Sequence, residues 1–322
     1  MIGLTGGKTG GHIIPLVAIS KKEENVVYVG GSGFLEEEIC KKHNINFIGL
    51  KIKSKKIINL LKAYRKIKID NLDAILSTGG FVSIPLLIYG VIHRIPIFLL
   101  EENTIIGLSN KFFSLFAKKI FLSYPIKKNN SKYVVVGQPL LINNISFIKY
   151  SKYKCDVLIL GGSLGSKPLC DLALKLSDKY SVCLVAGRYA DEYKSDKYTT
   201  FPYIDDLLNL MLQARMIISR AGAQTIAEIF YINKPCILVP SMKTKKNHQY
   251  LNAIYFQDKN CCKVVVEDKI NKINDEIDLI LGNQNIVNIM KKNQKKMINL
   301  DSCDLIMKEI YKEIRKWILK NM

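Results

Sequence analysis

The chain has no two cysteines at CxxC spacing, only four histidines in 322 residues, and far fewer acidic than basic side chains. The eight cysteines, at positions 40, 155, 170, 183, 236, 261, 262 and 303, fall mostly in apolar runs. They read as reduced, buried thiols, and neither a disulfide framework nor a zinc site is expected. No uninterrupted apolar run is long enough to span a bilayer: the best candidate, Val82 to Leu100, is broken by Pro85, His93, Arg94 and Pro96. A cleavable signal peptide is not expected either, because a glycine turn stands where its apolar segment would have to be. The acidic deficit, 28 against 48 Lys plus Arg, gives a net charge of +20. Part of that reflects a general richness in Lys, Ile and Asn. The rest points to an anionic partner: nucleic acid, a phosphorylated substrate or an anionic membrane surface. Nucleic acid is not expected, since no segment interleaves basic residues with exposed aromatics.

What is present is a repeating pattern of short apolar runs, glycine turns and helical stretches. Strands are expected at Ile2–Leu4, Val26–Val29, Ala74–Leu76, Pro96–Leu100, Ile120–Leu122 and Val134–Val136, with helices between them, one of them a basic amphipathic helix from Lys55 to Ile69. A polar stretch from Leu141 to Lys154 serves as a linker, after which the pattern restarts at Val157–Leu160. Strands follow at Val182–Val185, Met216–Ser219, Cys236–Val239 and Val264–Val266, and the tail from Ile286 to Lys320 reads as helix. Repeated βα units imply an α/β fold with parallel sheets. The expected organisation is two α/β halves on either side of that linker, each opening with a strand and a glycine turn. A duplicated arrangement of this kind binds its ligand in the cleft between the halves.

Three stretches carry chemistry. The opening Met1–Pro15, MIGLTGGKTGGHIIP, is strand, glycine turn and helix, with His12 at the helix start, where an imidazole can serve as general base. Its GGKT does not complete a Walker motif, because the position that must be glycine is Ile2. A second glycine turn, Gly161–Gly165 followed by Ser166, is suited to a diphosphate. The third, SRAGAQTIAE from Ser219 to Glu228, aims N–H groups from a helix start and sets a carboxylate one and a half turns in, where it can accept ribose hydroxyls.

Taken as a set, these residues resemble the MurG family of peptidoglycan N-acetylglucosaminyltransferases. TGGKTGGHIIP resembles the family's TGGGTGGHxxP, and LLEEN with GLSNK (Leu99 to Lys111) resembles LHEQN with GLTNK. LGGSLGS, FPYIDD and SRAGAQTIAEI correspond to GGSQGA, EFIDDM and CRSGALTVSEI, and NKPCILVP with HQYLNA to GLPALFVP with QQYWNA. The matches keep their order from position 5 to about 255. Departures are Leu100 for the family's histidine, Phe81 for the tyrosine of GGY, His248 in the QQ pair, and Leu141 where GNPxR has arginine.

The resemblance implies a GT-B fold, with two Rossmann-like domains, 1–141 and 155–302, and a C-terminal helix of about 303–322 packing back on the first. It also implies an inverting transfer of N-acetylglucosamine from UDP-N-acetylglucosamine to the C4 hydroxyl of the muramoyl sugar of lipid I. The product would be lipid II. Donor contacts carry over to Thr9, Gly10, Gly11, Asn103, Ser163, Ile204, Ala223, Gln224, Thr225, Ile226, Ala227, Glu228 and Gln249. Of these, Ile204 would meet uracil, Glu228 the ribose and Ser163 the diphosphate. His12 is the implied base and Glu101 a second candidate. No D-x-D pair stands ready to hold a metal, and no cofactor is expected. Lys55, Lys56, Ile57, Leu61 and Arg65 match the family's membrane-facing helix, which places the enzyme peripherally on the cytoplasmic face of the bacterial inner membrane. A GT-B transferase with another lipid acceptor, such as diacylglycerol, is the alternative enzyme; a non-catalytic nucleic-acid binder is the alternative of another class.

Overall fold

The computed structural model describes all residues except 8, 53, 55, 127–129, 143–150, 163, 164, 205, 243–246 and 322. The chain divides into two compact units, residues 1–141 with 299–322, and residues 142–298.

Unit 1 alternates strand and helix: β1 (Ile2–Gly6), α1 (Gly10–Ser20), β2 (Val26–Gly31), α2 (Leu35–Lys42), β3 (Phe47–Leu50), α3 (Ile57–Tyr64), β4 (Ala74–Gly79), α4 (Ile84–Ile92), β5 (Ile97–Glu101), α5 (Leu108–Phe113), β6 (Lys119–Leu122) and β7 (Tyr133–Val135). The seven strands form one parallel sheet in the order β3-β2-β1-β4-β5-β6-β7. Strands such as Ile2–Gly6 and Ala74–Gly79 are buried along their whole length, as strands covered by helices on both faces of a parallel sheet are. One face carries Leu16, Val17 and Ile19 of α1; the other carries Leu60 of α3, Leu86 and Leu87 of α4 and Phe113 of α5.

Unit 2 repeats the plan with β8 (Cys155–Leu160), α6 (Lys167–Leu176), β9 (Val182–Val185), β10 (Thr199–Phe201), α7 (Leu207–Gln213), β11 (Ala214–Ser219), α8 (Ala223–Ile232), β12 (Cys236–Leu238), α9 (His248–Gln257), β13 (Lys263–Val264), α10 (Ile273–Gly282) and α11 (Gln284–Lys295). Its parallel sheet runs β10-β9-β8-β11-β12-β13. In both sheets the chain reverses its direction of travel beside the first strand, between β1 and β4 and between β8 and β11. The crevice outside the carboxyl ends at such a point is where doubly wound sheets bind ligands.

The last helix, α12 (Ser302–Asn321), belongs to unit 1. Ile306 and Ile310 are completely buried in the same core as Leu16 and Phe121. Asn299 Nδ2 donates to the Val136 carbonyl at 2.9 Å and fixes the helix entry. At Gly137, with φ +87, a Cβ would stand 2.7 Å from that of Asn299, so only glycine lets the two segments meet.

Three expectations are corrected. The tail is two helices, because the chain turns out of helix after Lys295 and re-enters at Ser302. The basic helix is only Ile57–Tyr64; beyond it Ile67 and Ile69 turn inward and are buried in non-helical chain. Strands β3 and β10 were not foreseen. Each is a short edge strand that is mostly only half-buried. All eight cysteines are free and buried.

Candidate active site

In unit 1 the carboxyl ends of β1, β4 and β5 converge. β1 passes through Gly6 and Gly7 into α1, and the turn is held from several sides. The Tyr28 hydroxyl donates to the Gly6 carbonyl at 2.7 Å, Thr5 Oγ1 to Val29 at 2.8 Å, and Thr78 Oγ1 to the His12 carbonyl at 2.7 Å. A Cβ at Gly6 would lie 1.9 Å from Thr78 Oγ1, which explains the glycine there. Thr9, Gly10 and Gly11 are half-buried around the helix start, Thr9 in the N-cap position with extended backbone.

His12 projects from the first turn of α1, its side chain 30% exposed. Nδ1 is buried and lies 3.8 Å from Glu102 Oε1, and neither atom has a hydrogen-bond partner. That distance allows charge pairing but is too long for a formed hydrogen bond. Burial depresses the His12 pKa; the proximity and charge of Glu102, with the charge of Glu101 behind it, outweigh burial and leave it above the ordinary 6.5. Burial likewise pushes the Glu102 carboxyl up, against the pull of His12.

Glu101, the second base candidate, is enclosed by its own loop. Its buried carboxylate accepts from the Asn103 amide N–H and Nδ2 at 3.2 Å, the Gly107 N–H at 2.8 Å and Asn110 Nδ2 at 3.0 Å. These four donors shape the loop from β5 into α5. The carboxylate facing His12 is Glu102, which the sequence reasoning passed over, together with Asn110. Both lie inside the stretch Leu99 to Lys111 already singled out, and only the fold shows which of two adjacent glutamates turns toward the histidine.

In unit 2 the two turns foreseen from sequence meet at the β8 and β11 ends. Gly162 and Gly165 take φ of +79 and +72, and a Cβ at Gly165 would stand 2.6 Å from the Ala186 carbonyl. Ser163 lies outside the described residues. Arg220 joins the turns: Nε donates to Ser166 Oγ at 3.0 Å, and Nη1 to the Val239 carbonyl at 3.1 Å and to Glu267 at 2.9 Å. Pro168 removes a donor from the start of α6. The first-turn amides of α8 lie outside that helix's own ladder, which begins with Ile226 donating to Gly222 at 3.0 Å. Of the two helix starts, α8 is therefore the better anion cradle.

Glu228 is half-buried and accepts from Gln224 Nε2 at 2.9 Å. Burial pushes its pKa up to about 7, opposed by that bond. Ile226 and Ala227 are completely buried. Ala223 and Gln224 are buried, Thr225 is half-buried, and Ile204 is 8% exposed beyond β10. Gln249 accepts from the Ser241 amide at 2.9 Å, and Asn252, fully buried, donates to the Ala221 carbonyl at 3.3 Å, so α9 braces the loop before α8. Among the described residues, no group of three or more His, Cys, Asp and Glu side chains converges as metal ligands would.

Comparison with known proteins identifies the class. Residues 2–122 match the glycosyltransferase family 28 N-terminal domain and residues 156–306 the family 28 C-terminal domain, so the chain is a family 28 glycosyltransferase. Proteins named UDP-N-acetylglucosamine–N-acetylmuramyl-(pentapeptide) pyrophosphoryl-undecaprenol N-acetylglucosamine transferase are similar over nearly their full length. That of Thermosipho africanus is 32% identical, covering 98% of this chain and 99% of the relative; that of Clostridium botulinum is 32% identical, covering 98% of each. The fold matches the crystal structure of Acinetobacter baumannii MurG with a TM-score of 0.78 over 97% of this chain and 98% of that one, at 22% identity. The chain belongs to the MurG family.

Proposed function

We propose that the protein transfers N-acetylglucosamine from UDP-N-acetylglucosamine to the C4 hydroxyl of the muramoyl sugar of lipid I, with inversion, yielding lipid II. The observation that carries this reading is the pairing of functions at the two sheet switch points. Unit 1 presents a partly exposed histidine at its glycine turn, and unit 2 presents a helix start with a half-buried carboxylate. In the reaction the acceptor oxygen bonds to the sugar C1 as its proton passes to His12, and the C1–oxygen bond to UDP breaks with the electron pair leaving on the diphosphate. The first-turn amides of α8 are suited to receive that charge. Glu228 accepts from the ribose hydroxyls. Thr9, Gly10, Gly11 and Asn103 contribute from unit 1, and Ile204 and Gln249 from unit 2.

The acceptor's lipid calls for a membrane surface, and one helix layer of unit 1 is suited to it. On α3, Ile57 is 74% and Ile58 67% exposed, Leu61 is exposed beside them, and Lys56, Lys62 and Arg65 rim them. Lys55 lies outside the described residues. On the same sheet face α5 and the turn after it expose Leu108, Phe112, Leu115 and Phe116 beside Lys111 and Lys118. Apolar side chains rimmed by cations suit the interface of an anionic bilayer. No helix among the described residues is long and apolar enough to cross a membrane. Competition between a short-chain lipid I analogue and diacylglycerol tests the acceptor: glycosylation of the muramoyl sugar alone supports the assignment, and glycosylation of diacylglycerol alone overturns it.

A further inference from the structure

The buried pair behind the base is not accounted for by the transfer chemistry just described. Glu102 has a side-chain exposure of 4%, and its Oε1 finds no donor except the His12 ring at 3.8 Å. Its other oxygen faces the start of α1, 3.7 Å from where a Cβ on residue 11 would stand. A buried carboxylate oxygen left with one prospective donor is costly unless that donor supplies a proton or a charge. The imidazole is oriented to match. Nδ1 is closed to solvent, so the 30% of the side chain that stays open lies on the other edge of the ring, where Nε2 is. The LHEQN pattern that this stretch resembles has a neutral glutamine at the position of Glu102, so the charge is a property of this chain.

We propose that Glu102 is the positioning residue of His12: it selects the tautomer with the proton on Nδ1, turns Nε2 outward to the acceptor hydroxyl, and balances the imidazolium formed when that hydroxyl is deprotonated. The proton moves from the acceptor oxygen to Nε2; Glu102 takes none, and its contact with Nδ1–H shortens as positive charge develops. Among the described residues, the other titratable groups around the pair are engaged elsewhere. Glu101 holds its four loop donors, Tyr28 donates to the Gly6 carbonyl at 2.7 Å, and Glu36 accepts from the Gly31 amide at 3.0 Å. Leu100, where the pattern has a histidine, is completely buried and offers no substitute.

This role rests on His12 being the base, so the test separates the pair from the reaction. Nitrogen NMR of isotope-labelled histidines, with His12 assigned by its loss in His12→Gln, reads tautomer and titration without substrate. The wild-type protein is expected to show His12 protonated on Nδ1 and titrating above 6.5, and Glu102→Gln to lower that midpoint by about one unit. In transfer assays Glu102→Gln should lower kcat between about tenfold and a thousandfold, leave the acceptor KM within about twofold, and shift the acid limb of the rate profile to lower pH. Added to His12→Ala it should cost nothing further. A wild-type His12 in the other tautomer, a midpoint that Glu102→Gln leaves in place, or an equal loss in the His12→Ala background would each overturn the assignment. Should Glu102→Gln not fold, the tautomer and midpoint of the wild-type histidine still decide it.

Discussion

Arg220 Nε lies 3.0 Å from Ser166 Oγ, so a single guanidinium from the end of β11 holds the turn that follows β8. Through Nη1 the same group reaches the end of β12 and, at Glu267, the chain beyond β13. Its side chain is 13% exposed, and that of Glu267 26%. Removing the guanidinium therefore strands partly buried acceptors. Arg220→Ala should destabilise unit 2 by about 2–4 kcal/mol in denaturant titrations and weaken UDP binding. Arg220→Lys keeps the charge but cannot span three partners, and should fall between. Unchanged stability in Arg220→Ala would remove this network from the account.

Glu228 links donor binding to pH. Its folded-state pKa, near 7, exceeds the ordinary 4.5, so its protonated form adds stability at low pH that is lost as pH rises through about 7. In the ligand-free protein at pH 8, Glu228→Gln should thus be more stable than wild type by about 2–3 kcal/mol. Ribose hydroxyls need the ionised carboxylate. Affinity for UDP-N-acetylglucosamine, whose diphosphate does not titrate near neutrality, should climb up to about tenfold per unit toward pH 7 and then level off. Calorimetric titration across that range checks it; a flat wild-type profile would separate Glu228 from the ribose.

Glu101 should behave as the organiser of its loop. Glu101→Ala strips four donors of their acceptor, with an expected loss of about 2–4 kcal/mol, because buried amides are left unpaired. Because Asn103, a donor contact of the proposed site, is held by Glu101 in that loop, affinity for UDP-N-acetylglucosamine should fall along with activity. Donor affinity left unchanged in Glu101→Ala would remove Asn103 and its loop from the donor site.

The exposed face of α3 gives a membrane prediction. Replacing Ile57, Ile58 and Leu61 together by Ser should lower partitioning onto anionic vesicles by roughly tenfold or more at about 25 cal/mol per Å² of apolar area. Replacing Lys56, Lys62 and Arg65 by Glu should abolish it at low salt. Vesicle sedimentation measures both. Retention of binding in the two variants would exclude this helix as the contact.

Much of this was legible in the sequence, for a physical reason. Strands covered on both faces are mostly apolar, as at Ala74–Leu76 and Val157–Leu160, and the turns that close them at the sheet switch points are glycine-rich, as at Gly6–Gly7 and Gly161–Gly162. The edge strand Thr199–Phe201 escaped notice because exposure relaxes the demand for apolar residues; Phe47–Leu50 is apolar but only four residues long. The α/β class and the glycosyltransferase family followed from those turns and the motifs beside them. Roles within the motifs did not. Adjacent glutamates 101 and 102 point to opposite sides of a strand end, one into its own loop and one toward His12, and sequence distance cannot tell them apart. In the same way Ile226 and Ala227 sit in a motif but face the core, because helical geometry turns only part of α8 outward.

The claim on which the account turns is that His12 is the base of a sugar transfer to lipid I. The direct measurement is transfer of radiolabelled N-acetylglucosamine from its UDP donor to a short-chain lipid I analogue, comparing wild type with His12→Ala. The account predicts label in the muramoyl product for wild type and a loss of about a hundredfold or more in kcat for His12→Ala, with UDP affinity retained. Transfer that His12→Ala leaves unchanged would contradict the base assignment, and absence of transfer by the wild-type protein would contradict the function itself.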